Sequence, residues 1–110
     1  MGIGSTEIVV QDNPGEHRYE LLVDGSLLGE LQYRLRPDAV ALIHTEVSPS
    51  LEGRGLGARL VGGALDDIRA RGLQVVPVCP FVRAYIRRHP DYADLVVERA
   101  KGGAASDARA

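Results

Sequence analysis

The amino-acid sequence predicts an α/β fold of the α+β kind, in which a mostly antiparallel central sheet packs against two main helices. Two observations lead to this prediction. As far as Val47, short apolar or alternating segments are separated by turn signals, which is typical of successive strands. From Leu56 onward the apolar period changes from two residues to about 3.6, the period of a helix.

Four strands are predicted in the first half of the chain, at residues 8–10, 18–23, 27–36 and 39–47. The second and third are joined by Asp24-Gly25, a strong signal for a tight hairpin turn. Residues 27–36 alternate between apolar and polar side chains, which predicts a strand with one buried and one solvent-exposed face. Residues 39–47 are almost continuously apolar, which predicts a central position in the sheet.

The second half of the chain is predicted to contain a helix, a strand and a helix. An amphipathic helix of roughly four turns begins at Leu56 and ends at Gly72. Residues 73–79 form a β-branched strand, and the proline within it predicts an edge or splayed position. Pro80 begins a short helix that runs to Arg88, and residues 95–98 are predicted as a last strand. The apolar stripe of the long helix comprises Leu56, Leu60, Val61, Ala64, Leu65 and Ile68.

The composition restricts the class of protein. The chain has 110 residues and a formal net charge of -2, which argues against a strongly basic nucleic-acid footprint. We expect one domain over residues 1–100 and a disordered tail over residues 101–110, because the tail is small, polar and without an apolar period. Cys79 is the only cysteine, so a cytoplasmic location is the simplest expectation. We find no signal peptide, membrane-spanning run or metal-ligand spacing, and expect no membrane and no metal.

Three glycines, Gly53, Gly55 and Gly57, stand directly before the long predicted helix. The first four amides of a helix lack partners, and no Ser, Thr, Asp or Asn just before Leu56 can cap them. Bare glycines would let a phosphate approach these amides, with Arg54 adding a charge-assisted contact. The alternative interpretation is a flexible loop whose glycines only allow a sharp entry into the helix.

Spacing restricts the kind of phosphate ligand. Gly53, Gly55 and Ala58 fit the dinucleotide pattern G-x-G-x-x-G/A, but no acid follows about twenty residues later, where that fingerprint requires one. No Gly-Lys-Ser/Thr follows either, which excludes a nucleoside-triphosphate loop. The spacing alone leaves the ligand open.

The segment Val47-Ser48-Pro49, followed by Glu52-Gly53-Arg54-Gly55-Leu56-Gly57, resembles motif A of the GNAT superfamily of acyl-CoA N-acyltransferases. Three separated motifs carry a narrower resemblance, to the small stand-alone Yjdj-type family of predicted N-acetyltransferases. These motifs are His44-Thr45-Glu46-Val47, the glycine loop, and Val76-Pro77-Val78-Cys79-Pro80-Phe81-Val82 with the helix that follows. The likeness implies a minimal GNAT-like fold and an enzyme that moves an acetyl group from acetyl-CoA to an amine.

The resemblance also implies where coenzyme A, the co-substrate, would bind. The pantetheine arm would pair with the backbone around Glu46 and Val47. The acceptor would be an amine of a protein or of a small molecule. Its site should be open, because only residues 11–16 stand where family members carry helices between their first two strands. The pyrophosphate would lie on the amides of Gly53, Arg54, Gly55, Leu56, Gly57 and Ala58.

Three residues are candidates for the transfer step. Cys79 closes a predicted strand just before a helix, where a thiolate is favoured, and by resemblance it would reprotonate the leaving coenzyme thiol. It could instead be a nucleophile that carries the acyl group, or a small buried hydrophobe. His44 and Glu46 lie on one side of their predicted strand and would form a base and its orienting partner, or else a structural pair.

Two functions are therefore expected from the sequence, and a plain structural α/β domain that binds no ligand is a third possibility. The first is a small acetyl-CoA-dependent N-acetyltransferase. The second is a non-catalytic sensor or interaction module that binds coenzyme A or acetyl-CoA. Turnover separates them, because slow loss of the thioester across a wide panel of amines would favour the binding module. The oligomeric state is left undetermined.

Overall fold

The computed structural model describes residues 6–51 and 53–97. The disordered tail predicted over residues 101–110 lies outside this part of the chain. The five strands are β1 (Ile8–Asn13), β2 (Arg18–Val23), β3 (Ser26–Leu35), β4 (Ala39–Val47) and β5 (Gln74–Pro77). The two α-helices are α1 (Leu56–Ala70) and α2 (Pro80–Arg88), and short 3₁₀ helices span Pro14–Glu16, Pro49–Leu51 and Pro90–Leu95.

The strands form one sheet in the order β1-β2-β3-β4-β5. The first four pair antiparallel and β5 pairs parallel to β4, so the predicted mostly antiparallel sheet is confirmed. Asp24 and Gly25 both have positive φ, 50° and 85°, as a two-residue hairpin turn of the predicted kind requires. The parallel step from β4 to β5 needs a long crossover, and α1 supplies it.

The core lies between one face of the sheet and the two helices. All six residues of the predicted apolar stripe of α1 are buried. They pack against Leu21, Leu31 and Leu42 of the sheet and Val75 of β5, each of which is fully buried. Removing this apolar surface from water is the main stabilising contribution to such a fold. No helix in the described part of the chain is both long and apolar enough to cross a membrane.

A β-bulge interrupts β4 at Ile43. Gln32 of β3 pairs with His44, but the next residue, Tyr33, pairs with Leu42, so Ile43 is an extra residue in β4. A bulge of one residue reverses the alternation of side chains beyond it. As a result Leu42 faces the core before the bulge, and Thr45 and Val47 face the same side after it.

The C-terminal strand predicted over residues 95–98 is wrong where the structure describes it. Leu95 ends a 3₁₀ helix, and Val96 forms only an isolated parallel bridge with Val75. Side-chain contacts hold the segment against α1 instead, because Arg69 donates to Asp94 at 3.0 Å and to the Asp91 carbonyl at 2.6 Å. Glu98 lies outside the described residues.

A polar cluster joins the C-terminal end of α1 to the sheet. Arg71 contacts both Asp12 of β1 and Asp67 of α1, each at 2.9 Å. The same carboxylates accept hydrogen bonds from two buried tyrosines, with Tyr33 donating to Asp12 at 2.6 Å and Tyr19 to Asp67 at 2.7 Å. Buried hydroxyls need such partners, so the cluster fixes how α1 sits on the sheet.

Candidate functional site

The N-terminus of α1 is uncapped in the described part of the chain. Gly55 occupies the N-cap position with φ 71°, and no described side chain hydrogen-bonds the first amides. Gly53 also has positive φ, 80°, and a Cβ built at Gly53 or Gly55 would meet no described atom within 4 Å. Unpartnered backbone amides at the positive end of a helix dipole are typical of anion-binding sites.

The sheet opens next to this loop. Strands β4 and β5 pair only from Ala39 to Leu42, and the last backbone link is the Cys79 amide donating to the Leu42 carbonyl at 2.9 Å. Beyond it, the hydroxyl of Thr45 lies 3.3 Å from the thiol of Cys79, in hydrogen-bond contact across the gap. The opening begins at the Ile43 bulge, where β4 bends.

A cavity of about 350 Å³ fills the space between the opened strands and the start of α1. Six of the seven residues predicted to bind the cofactor line it, and Arg54 is exposed beside it. Thr45, Ser48 and Phe81 also line the cavity and were not among the predicted residues. Alternation with Val47 could have indicated Thr45, whereas nothing in the sequence brings Phe81 to the loop. The six predicted residues are Val47, Gly53, Gly55, Leu56, Gly57 and Ala58.

Gly57 sets the width of the cavity. A Cβ at this position would lie 3.1 Å from Cζ of Phe81 and 3.7 Å from Cγ2 of Val47. The first distance is tighter than an ordinary van der Waals contact. Phe81 is 43% exposed, so the opposite side of the cavity is an aromatic ring that can yield. A slender, partly apolar chain fits this space better than a bulky or charged group does.

Cys79 lies at the N-cap of α2 and is only 4% exposed. Burial raises the pKa of its thiol, but hydrogen bonds from the Thr45 hydroxyl and from the backbone amides of Val82 and Phe81 outweigh burial, and the pKa is lowered. The prediction that the fold favours a thiolate here therefore has a structural basis. The sulfur itself lies behind Thr45 rather than at the cavity surface.

His44 and Glu46 are both exposed and lie on the other face of β4. Side chains alternate along a strand, and Thr45 and Val47 are the ones that line the cavity. The structure therefore places His44 and Glu46 on one side of the strand, as predicted, but does not bring them to Cys79. Within residues 6–51 and 53–97, no group of three or more side chains could hold a metal ion.

The fold and the comparison with protein families together define the class of protein. The family described as GCN5-related N-acetyl-transferase matches residues 18–95. The chain belongs to this family of acyltransferase enzymes, which is the GNAT superfamily that motif A indicates. The narrower Yjdj-type assignment stays a prediction.

Solved structures show the same fold. The NMR solution structure of a GCN5-like protein from Staphylococcus aureus matches with a TM-score of 0.63 at 21% identity, over 89% of this chain and 96% of that one. Ribosomal-protein-S18-alanine N-acetyltransferase from Escherichia coli matches with a TM-score of 0.50 at 23% identity, over 56% of this chain and 41% of that one. The IAA acetyltransferase from Bacillus cereus has a TM-score of 0.50 at 15% identity, over 77% and 75%. None of the curated proteins matches this chain significantly.

Proposed function

We propose that this protein is an acetyl-CoA-dependent N-acetyltransferase that acts on a primary amine in the cytoplasm. The observation that carries the proposal is that the uncapped N-terminus of α1 and the cavity between the strands adjoin each other. The uncapped amides of α1 open directly into the cavity between β4 and β5, with Gly55 and Leu56 common to both. An anionic diphosphate and a slender arm attached to it would need this pair of sites side by side.

The residues present fit coenzyme A. The amides from Gly55 to Ala58 would hold the pyrophosphate, with Arg54 offering a charge-assisted contact from the exposed loop. The pantetheine arm would lie along Val47 and against Phe81, which line the cavity. When bound, acetyl-CoA supplies the activated acetyl group. The protein positions that group and keeps water from it.

We assign Cys79 the role of general acid, acting through Thr45. The thiol proton passes to the Thr45 oxygen while the Thr45 hydroxyl proton passes into the cavity, where the leaving thiolate of coenzyme A accepts it. A hydroxyl can accept and donate at once, so the two transfers balance. The proton that the acceptor amine releases restores the thiol. Because Cys79 is 4% exposed, an acyl group on its sulfur would need space that the core does not offer.

The base role for His44, with Glu46 as its orienting partner, stays a hypothesis. Both side chains are solvent-exposed on the far face of β4. Among the described residues that line the cavity, none is histidine, aspartate or glutamate. An amine that arrives neutral, or one deprotonated by solvent, needs no residue in this role.

The lack of a histidine, aspartate or glutamate among the described residues that line the cavity favours a second candidate function. This is a non-catalytic module that binds coenzyme A or acetyl-CoA. A cavity without a titratable base can hold the thioester and still turn it over slowly. Both candidates predict binding, and only the first predicts acetyl transfer. The acceptor panel should include peptides with N-terminal alanine and small amines, since the relatives described above are named for different acceptors.

Glycine substitutions at the two ends of α1 test the binding site. Gly55→Ala and Gly72→Ala each place a side chain at φ near 71–72° with no described atom within 4 Å, so each costs about 1 kcal/mol in backbone strain. Only Gly55→Ala adds a methyl group before the uncapped amides. We expect it to weaken acetyl-CoA binding about tenfold or more by calorimetry. Gly72→Ala, the matched control, should leave binding unchanged, and equal affinities for the two variants would refute the site.

Turnover and intact mass test the role of Cys79. We expect Cys79→Ala to bind acetyl-CoA normally but to transfer acetyl groups at least about tenfold more slowly, within the usual contribution of general acid catalysis. Incubation of the wild-type protein with acetyl-CoA should give no acetylated Cys79 by mass spectrometry. An acetyl adduct at that cysteine would establish the nucleophilic route instead, and unchanged turnover of Cys79→Ala would remove both roles.

A further inference from the structure

A second groove, of about 490 Å³, lies on the face of the sheet that points away from the helices. Most of its lining side chains alternate along their strands with core residues, which is why they point to the opposite face. The sheet therefore separates this groove from the cavity next to α1. We call it the β3 groove. It is lined by Arg18 of β2, Gln32 and Arg34 of β3 and Ile43 of β4, and also by Glu16 and His17.

The β3 groove reaches the opening between β4 and β5. Ile43, the bulge residue of β4, lines the groove, and the two strands part directly after its neighbour Leu42. On the other face of the same opening, Thr45 and Val47 line the cavity. A coenzyme held in the cavity would occupy the side next to α1, so an acceptor amine has to approach the thioester from a side that stays free. The β3 groove provides such an approach.

The β3 groove contains two arginines, and the fold already neutralises one of them. Arg18 donates to Glu20 at 2.9 Å and to Glu30 at 3.0 Å. The hydrogen bond to Glu20, together with the charges of Glu30 and Glu16, raises the pKa of Arg18. Three carboxylates therefore surround this guanidinium, and it offers little attraction to a further anion.

The second arginine, Arg34, has no such partner. No acid in the described part of the chain lies within ion-pair distance of it. Arg34 is exposed and stands directly opposite Ala41 of β4, so Ile43 is its diagonal neighbour at the opening. Diagonal neighbours of this kind are about 7–8 Å apart. A guanidinium without an anion of its own is a binding group for a carboxylate, which it can hold through two parallel hydrogen bonds.

The distance between Arg34 and the opening restricts the acceptor. A free α-amino acid carries its carboxylate on the carbon that bears the amine, which is too close to span this distance. In an extended peptide successive residues advance about 3.3 Å, so an acid at the second or third position would reach Arg34 while the N-terminal amine enters the opening. The rest of a peptide has room in an adjoining groove of about 390 Å³, which is lined by His17, Tyr33, Arg34 and the 63% exposed Leu35.

We propose that the β3 groove binds a peptide acceptor whose second or third residue is acidic, and that Arg34 holds this acidic side chain. The N-terminal amine of the peptide passes Ile43 and reaches the acetyl group from the outer face of the sheet. The inference rests on the proposed function, because it takes the thioester to lie in the cavity. Arg34 is then a residue that determines acceptor specificity.

The chemical step is that of the proposed function. The neutral amine attacks the carbonyl carbon of the thioester, so a nitrogen–carbon bond forms and the carbon–sulfur bond breaks. Cys79, acting through Thr45, passes a proton to the leaving thiolate. The proton that the amine loses restores the thiol of Cys79. The products are an N-acetylated peptide and coenzyme A.

A matched pair of peptides tests the contact with Arg34. Acetyl transfer from acetyl-CoA would be measured for peptides that begin Ala-Glu-Glu or Ala-Gln-Gln and are otherwise identical. We expect the wild type to have a KM about threefold to tenfold lower for the acidic peptide, the range for one exposed charge-assisted contact, with kcat within about twofold. In Arg34→Gln the two KM values should be equal. Arg87→Gln makes the same change of charge at an exposed position outside the groove and should keep the wild-type preference.

Peptide binding can also be followed without turnover. In an NMR titration in the presence of coenzyme A, the acidic peptide should shift the amide resonances of Gln32, Arg34 and Ile43, and it should shift them less in Arg34→Gln at the same concentration. Free glutamate is the small-molecule control, and we expect it to be a poor acceptor whether or not Arg34 is present. Acetylation of glutamate that depends on Arg34 would overturn the assignment to a peptide.

The outcomes separate this inference from the proposed function. If amines are acetylated but the acidic and neutral peptides react alike in the wild type, the inference is overturned while the proposed function stands. A preference for peptides that begin Ala-Lys-Lys would also overturn it, and would place the acceptor against Glu30 and Glu46, which pair across β3 and β4. If the acidic peptide binds through Arg34 but no acetyl transfer occurs, the proposed function fails and the peptide site stands.

Discussion

The hydroxyl of Thr45 lies 3.3 Å from the thiol of Cys79 and links β4 to a residue just beyond the end of β5, where the two strands have parted. The contact connects β4 to the N-cap residue of α2. Because Thr45 also lines the cavity, it connects a buried thiol to the place where the reacting group would lie. The position of Thr45 where the strands separate therefore also determines which group contacts the Cys79 thiol.

This relationship predicts how the reactivity of Cys79 depends on pH. Thr45→Val removes a hydrogen bond that favours the thiolate and keeps the shape of the side chain, so the pKa of Cys79 should rise. The rate of alkylation by iodoacetamide should then climb at higher pH than in the wild type, while Thr45→Ser should keep the wild-type curve. Coincident curves for Thr45→Val and the wild type would show that the hydroxyl does not act on the thiol.

A pair of substitutions tests the contact between α1 and α2. Gly62→Ala would place a Cβ 2.6 Å from the Tyr85 hydroxyl, and we expect it to lower the free energy of unfolding by about 1–3 kcal/mol. In the Tyr85→Phe background the nearest atom becomes Cζ at 3.5 Å, an ordinary contact. There Gly62→Ala should be neutral, or should stabilise by up to about 1 kcal/mol through helix propensity. Equal effects in both backgrounds, measured by urea unfolding, would disprove the contact.

The four tyrosines predict a sharp loss of stability in alkali. Burial raises the pKa of Tyr19, Tyr33 and Tyr85, and the hydrogen bond to Asp66 raises that of Tyr92. A raised pKa means that the folded state favours the neutral phenol. The resulting stabilisation is complete below the ordinary pKa of about 10 and is lost as pH rises above it.

Tyrosinate absorbance and circular dichroism, followed together against pH, check this prediction. We expect less tyrosinate near pH 10 than in the denatured protein while the fold persists, and the main rise when the circular dichroism is lost. The denatured protein, as control, should titrate near pH 10. Equal tyrosinate signals from the folded and the denatured protein near pH 10, with the circular dichroism intact, would contradict the assigned burial and hydrogen bonds.

A substitution of His44 tests the remaining candidate for the transfer step. His44 is exposed on the face of β4 that turns away from the cavity. We therefore expect His44→Gln to leave the acid limb of the pH–rate profile in place, with kcat/KM within about twofold of the wild type. Glu46→Gln should behave in the same way. Loss of that limb in His44→Gln would instead establish His44 as the base.

Most elements, and most of the residues that line the cavity, could be predicted from the sequence because local patterns indicate them. The apolar stripe from Leu56 to Ile68 predicted α1 and the face that it buries. The spacing of the glycines predicted that the first amides of α1 would be uncapped. Phe81 was missed because no local pattern brings it to the loop, whereas alternation with Val47 could have indicated Thr45. A continuous apolar run such as residues 39–43 has no alternation from which a bulge could be inferred. The strand predicted at residues 95–98 was wrong because the conformation of that segment depends on side-chain contacts with α1, which is distant in sequence.

The extra residue in β4 has a consequence for comparing relatives of this protein. Deleting Ile43 would restore the regular alternation of side chains along β4 and turn Thr45 and Val47 away from the cavity, although every residue of the glycine loop would be unchanged. The shape of the proposed thioester site therefore depends on how many residues precede the loop as well as on which residues form it. Homologues with an intact loop but a strand one residue shorter should be sorted by that length before an enzymatic activity is assigned to them.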